Sequence, residues 1–189
     1  MSSYAFTAEV SECFNKGEID SYYRYGGIVG GACQAGSLID RCFNEGNINS
    51  ISSIITENCG HAGGIVGDLC RSSNVTNCYN TGNIDGTVSV GGIVALTFGN
   101  TGTISNCYNI GNITGSSNVG GILGEDGVSY TITNSYYLTN TCVKGVGTLD
   151  GGADISANKE FLQTTFVETA NSEETIWKVE NNKYPELCF

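Results

Sequence analysis

The stretch VTNCYNTGNID, from Val75 to Asp85, decides the fold because the chain repeats it: VSECFNKGEID at Val10 to Asp20, IDRCFNEGNIN at Ile39 to Asn49, and ISNCYNIGNIT at Ile104 to Thr114. A shortened fifth copy, ITNSYYL, runs from Ile132 to Leu138. Between the copies stands a second block: GGIVG at Gly26 to Gly30 and at Gly63 to Gly67, GGIVA at Gly91 to Ala95, and GGILG at Gly120 to Gly124. Cys13, Cys42, Cys78 and Cys107, followed by Ser135, are separated by 29, 36, 29 and 28 residues. A fixed period of this length is the mark of a solenoid, in which each coil touches only its neighbours.

Units of 28 to 29 residues rich in Gly, Asn and β-branched side chains are too short and too poor in helix formers for a helical pair. They predict two or three short strands per coil, joined by tight turns in which Asn-x-Gly and Gly-Asn supply positive φ. Equivalent residues then stack about 4.8 Å apart. The expected ladders are Ile19, Ile48, Ile84 and Ile113; Ile28, Ile65, Ile93 and Ile122; an aromatic column of Phe14, Phe43, Tyr79, Tyr108 and Tyr136; and Asn15, Asn44, Asn80 and Asn109. The fold class is therefore all-β, a parallel β-solenoid of about five coils, right-handed because parallel crossovers are overwhelmingly of that hand.

These paired blocks resemble the GLUG motif, a repeat family of bacterial surface and secreted proteins, through the Gly-aliphatic-aliphatic-Gly run Gly27-Ile28-Val29-Gly30 and its equivalents. The resemblance covers roughly residues 8 to 138. It implies a noncatalytic β-solenoid module, of the kind found in adhesin-like proteins and beside the catalytic part of some immunoglobulin A proteases. The location it implies is the cell surface or the extracellular space, as part of a larger protein, although Met1-Ser2-Ser3-Tyr4 lacks the basic start and apolar core of a secretory signal.

Composition narrows the partners. A net charge of −11 with only 8 Lys plus Arg repels a phosphate backbone, so nucleic acid is excluded as a partner. The same charge disfavours anionic lipid, and no apolar run reaches the roughly 18 residues of a membrane helix. Nine cysteines without a C-x-x-C pair, and a single His61, argue for small core residues rather than zinc. Stacking brings the ladder cysteines, and the pair Cys33 and Cys70, within reach of disulfide geometry, but reduced thiols are the expectation. After a repeat region spanning 1–140, residues 141–189 read as a cap over the last coil, with a helix from Ser156 to Gln163 N-capped by Ser156 and a strand from Thr175 to Glu180 carrying Trp177.

No set of residues reads as catalytic. Asp20 and Asp85 share a ladder with Asn49 and Thr114 but have no basic partner, which disfavours lyase or glycosidase chemistry. Glu125, Asp126, Asp150 and Asp154 lie among glycines without the D-x-D-x-D spacing of a calcium loop, so no cofactor is expected, with calcium the one candidate. Cys59 and His61 form a Cys/His pair for which sequence identifies no orienting acid. Tyr22 and Tyr23, beside Arg24, stand outside the repeat pattern and, with Cys59 and His61, are the candidate ligand-binding residues. The expected function is a stalk, adhesive surface or ligand-binding scaffold whose partners are a host or cell-surface protein or glycan and the neighbouring domains of its parent. The alternative is a carbohydrate-active or carbohydrate-binding β-helix.

One interval breaks the period. Gly46 to Gly63 spans 17 residues where Gly17 to Gly26, Gly82 to Gly91 and Gly111 to Gly120 each span 9, placing an eight-residue insertion between about Ser50 and Ala62. Flanking blocks stay in register, so the extra residues leave the stack and return. Deleting eight of them is expected to alter the melting temperature only slightly, since loop-closure entropy changes slowly with length; a variant that fails to fold would place the segment in the core.

Overall fold

Successive side chains of a strand point to opposite sides, so in each Cys-aromatic-Asn triplet the cysteine and asparagine share one face and the ring takes the other. The computed structural model describes residues 7–32, 35–51, 60–127, 130–148 and 155–189. It is a parallel β-solenoid of five coils. The first coil comprises β1 (Glu9–Ser11), β2 (Phe14–Asn15), β3 (Ile19–Ser21), β4 (Arg24–Gly26) and β5 (Val29–Ala32). In the second, β6 (Leu38–Asp40), β7 (Phe43–Asn44), β8 (Ile48–Ser50), β9 (His61–Gly63) and β10 (Val66–Cys70) pair with them one for one, all parallel. Two further coils repeat this order, and a partial fifth contributes Thr131–Thr133 and Tyr136–Leu138.

Each full coil thus has five strands rather than the two or three expected. One extra corner comes from the residue before the ladder cysteine, which is left-handed in every coil: Glu12 (φ 54°), Arg41 (50°), Asn77 (50°), Asn106 (52°) and Asn134 (41°). The glycine of Asn-x-Gly is not the bending residue. A Cβ on Gly46, Gly82 or Gly111 would fall onto the carbonyl oxygen of Gly17, Gly46 or Gly82 one coil below, so glycine is required there by close approach.

The same crowding explains the double glycine. A Cβ at Gly27, Gly64 or Gly92 would strike the side chain of Asn44, Asn80 or Asn109 and a carbonyl of the next coil. This seam of asparagine against glycine backbone separates two hydrophobic regions. The larger holds Ile39, Val75, Ile104, Ile65, Ile93 and Ile122 with Cys42, Cys78 and Cys107. The smaller holds Ile48, Ile84, Ile113, Val90 and Tyr25.

The asparagines are bonded head to tail. The side-chain amide of Asn15 donates to Asn44 Oδ1 at 2.8 Å, Asn44 to Asn80 Oδ1 at 2.7 Å, and Asn80 to Asn109 Oδ1 at 2.7 Å. The second N–H of each donates to the carbonyl two residues on, at Gly17, Gly46, Gly82 and Gly111. Beside them the ladder thiols donate to the carbonyl two residues back, and Ser135 makes the same bond in the fifth coil. Cys13, Cys42, Cys70, Cys78 and Cys107 are all free thiols, and burial pushes that of Cys78 well above its ordinary pKa. Cys33 lies outside the described residues.

The aromatic column faces outward and is stacked, with ring centroids 5.3, 4.9 and 5.2 Å apart from Phe14 through Phe43 and Tyr79 to Tyr108. Here the C-terminal segment departs from expectation. Ser156 is not a helix cap; Ser156–Ala157 is a strand added beside Tyr137–Leu138, and Asn158 Oδ1 caps the helix by accepting from Phe161 N at 2.8 Å. Helical residues 159–170, which include a π-helical turn at Leu162–Phe166, lie against the aromatic column with the antiparallel pair Trp177–Lys178 and Glu186–Leu187. Trp177 and Phe166 pack on Tyr108 at 5.6 Å each. The end of the stack is closed by Val146 and Ile155, from the first part of the segment expected to cap it, with Tyr137. Outward-facing rings need burial, which draws most of the cap to the side of the solenoid.

The amide ladder generates a prediction. Asn80→Ala leaves the buried donor of Asn44 without its acceptor and should cost about 3 kcal/mol in chemical denaturation, whereas Asn112→Ala, at an exposed asparagine bonded to Asn83, should cost a fraction of that.

Candidate functional site

Of the insertion, the structure describes the two stems, Ser50 and Ile51 at the end of β8 and Gly60 before β9. Both ends are tied to the first coil: Ile51 N donates to Ser21 O at 2.9 Å, and the N–H groups of Gly60 and His61 donate to Tyr23 O at 2.8 and 3.1 Å. Tyr22 therefore sits between the two stems. Gly60 takes φ +83°, and a Cβ there would collide with Thr87 of the third coil, so only glycine turns the chain back this tightly. Thr87 also meets the near stem, its hydroxyl 3.1 Å from that of Ser50.

Around these stems lies an exposed apolar surface of Tyr22, Tyr23 and Ile51, which are 60%, 47% and 65% exposed. Beneath it is a charged group in which His61 and Asp68 are buried and Arg24 is partly exposed. Arg24 and His61 are register partners on β4 and β9. Asp68 on β10 bonds to both, its Oδ1 accepting from His61 Nδ1 at 2.9 Å and its Oδ2 pairing with Arg24 Nη1 at 2.9 Å. A carboxylate only accepts, which fixes the hydrogen on Nδ1. Gly31 occupies the column of Asp68 in the first coil, and Arg24 pairs with Asp68 of the second. The guanidinium also lies over the Tyr23 ring, 5.2 Å from its centroid. The charge network thus fixes Arg24, and Arg24 fixes one wall of the aromatic surface.

Of the four candidate binding residues, Tyr22 and Tyr23 are on the surface and Tyr23 is joined to His61. His61 is only 2% exposed and Asp68 is fully buried, so the imidazole supports the surface from beneath and is not a contact on it. Cys59 lies outside the described residues. Asp68 is the residue sequence reasoning missed. A signal was there: His61 and Asp68 stand seven apart across the GGIVG block, as do Asn118 and Glu125, whose side chains also bond, at 3.0 Å. Glu125 takes a second bond from Ser89 of the coil below, at 2.6 Å, as Asp68 does from Arg24.

Asp20, Asp85 and Asp126, the other described acids singled out in the sequence, are bonded to neutral neighbours. Asn49 donates to Asp20 at 3.0 Å, Thr114 to Asp85 at 2.8 Å, and Thr97 and Tyr130 N to Asp126 at 3.0 Å each. Asp150 and Asp154 lie outside the described residues, among which no three His, Cys, Asp or Glu side chains cluster as a metal site.

No protein-family model matches the chain, nor does any curated protein. Its fold is similar to that of a crystal structure described as "a putative immunoglobulin A1 protease from Bacteroides ovatus", with a TM-score of 0.63 and 21% identity over 96% of this chain and 73% of that one. At that identity the likeness is one of fold.

The charged group makes a specific prediction. Asp68→Ala strands the buried His61 and the partly exposed Arg24 without their acid, at a cost of about 3 kcal/mol in denaturant titration, the low end for a buried pair because water reaches Arg24; a loss below about 1 kcal/mol would mean that the carboxylate contributes little to the fold.

Proposed function

We propose that the chain is a noncatalytic repeat module of a bacterial surface or secreted protein, and that it binds a protein or glycan through Tyr22, Tyr23 and Ile51 at the stem of the insertion. The observation that carries this reading is the exposure of three large apolar side chains, one of which, Tyr23, is stacked on an arginine held by an ion pair to the buried Asp68. Aromatic rings held in place lose little entropy on binding and present a face to sugar C–H groups or to a partner's side chains. The resemblance of the repeat to the GLUG motif supports the assignment to a larger surface protein.

A hydrolytic reading has one observation in its favour, the His61 to Asp68 hydrogen bond, which is the base and orienting half of a catalytic triad. Against it stand the burial of both side chains and the commitment of Asp68 to Arg24. Ser89, one coil on, gives its hydrogen to Glu125.

The test is retention of the purified chain on arrays of glycans and secreted proteins, with immunoglobulin A1 among them. Binding that falls at least tenfold in Tyr22→Ala/Tyr23→Ala, with an unchanged melting temperature, is the expected result. Equal binding by the double variant would remove the surface from the account, and cleavage of a retained protein into fragments of fixed mass would replace it by the hydrolytic reading.

A further inference from the structure

The open side of the first coil differs from every boundary between coils. Phe14 is 61% exposed where Phe43, next to it in the same column, is 7% exposed, and Val10, Ile19 and Val29 are only half-buried where their equivalents in the second coil are fully buried. A crevice of about 230 Å³ opens there among Ala8, Val10, Val29, Gly31, Ala32 and Leu38. Backbone groups are aligned along the same edge. The N–H groups of Phe43 and Glu45 donate to Cys13 O and Asn15 O at 3.0 and 2.8 Å. Their counterparts one coil earlier, Phe14 N and Lys16 N, face outward in the same direction, as does Glu18 O, the counterpart of the Asn47 carbonyl that accepts from Ile19 N.

The amide ladder gives this edge a polarity. Both side-chain hydrogens of Asn15 are used, on Gly17 O and Asn44 Oδ1. Its Oδ1 accepts from Gly17 N at 3.1 Å and occupies the place where, in the second and third coils, Oδ1 receives an amide from the preceding coil. What completes the column is therefore a donor. A second copy meeting this one head to head would oppose Asn15 Oδ1 to its own equivalent, acceptor against acceptor. Nor can the far end of another copy supply the donor, because Tyr137 lies over Asn109 and Ser156–Ala157 lies beyond it. Charge adds a further requirement. Lys16 sits over the Phe14 and Phe43 rings at 5.7 and 5.6 Å and pairs with Glu45 at 3.0 Å, so an acid stacked on its other side is favoured.

We infer that the open edge of the first coil is a docking site for a strand of a partner polypeptide, added in parallel register with an aromatic residue over Phe14, an asparagine over Asn15 and an acid over Lys16. Backbone bonds along the edge supply the affinity and these three side chains the selectivity. The inference is independent of the surface at the insertion stem.

The chain itself contains a segment with this pattern, Phe43-Asn44-Glu45-Gly46, so a synthetic peptide of residues 38–49 is the probe. Fluorescence anisotropy under reducing conditions should give saturable binding to the full chain. Changing the peptide's asparagine to aspartate, which sets a carboxylate against Asn15 Oδ1, should weaken binding at least tenfold, and Phe14→Ala in the full chain should weaken it as well. Equal binding of the two peptides, or no saturable binding, would overturn the inference. So would a stable dimer in sedimentation that the peptide does not dissociate, or binding seen only after removal of residues 1–6, which would assign the edge to the chain's own segment.

Discussion

The side-chain amide that bonds upward to its equivalent and sideways to a glycine carbonyl is the constraint on which the rest of the structure depends. Asn44, Asn80 and Asn109 are fully buried polar groups, and each is tolerable because an equivalent asparagine in an adjacent coil and a glycine carbonyl of its own coil satisfy its amide. That requirement locks the coils in register. It also brings the backbones so close that Gly46, Gly82, Gly111 and the paired glycines opposite cannot carry a Cβ. Two apolar regions then fill on either side, and the turn to the other face of the triplet leaves the rings outside for the cap to cover.

A stack held this way accepts irregularity only at its corners. The insertion illustrates the rule: both stems are fastened to carbonyls of the first coil, and the register of Ala62 and Gly63 with Val90 and Gly91 is undisturbed. In the charged group, Arg24 and His61 stand at the starts of β4 and β9, and Asp68 lies within β10. The column of Arg24 and His61 varies from coil to coil, continuing through Ser89 and Asn118, so each coil is free to carry different chemistry.

The period, the parallel stacking and the membership of the ladders were legible in the sequence because each is written four or five times. Five corners per coil were not, since residues as unlike as Glu12 and Asn106 adopt the same left-handed conformation when stacking imposes it. The place of the cap was hidden for a different reason. Trp177 and Phe166 could cover an end or a side, and only the outward direction of the aromatic column, a matter of strand alternation, decides between them. At the site, Tyr22 and Tyr23 were legible as departures from the repeat. Asp68 was written only as a seven-residue spacing from His61, while its importance lies in a contact with Arg24 44 residues away in the chain.

The left-handed column has a consequence for how the molecule yields to tension. Asparagine occupies that position in the last three coils, Asn77, Asn106 and Asn134, whereas Glu12 and Arg41 pay a steric penalty of about 1 kcal/mol each for the same φ. The cap reinforces this gradient, since Trp177, Phe166 and Phe189 grip the rings of the second to fifth coils and leave Phe14 untouched. A pull on the N-terminus therefore peels the first coil before any other, while a pull on the C-terminus must first shear the aromatic clasp. The module is mechanically directional, compliant at one end and braced at the other.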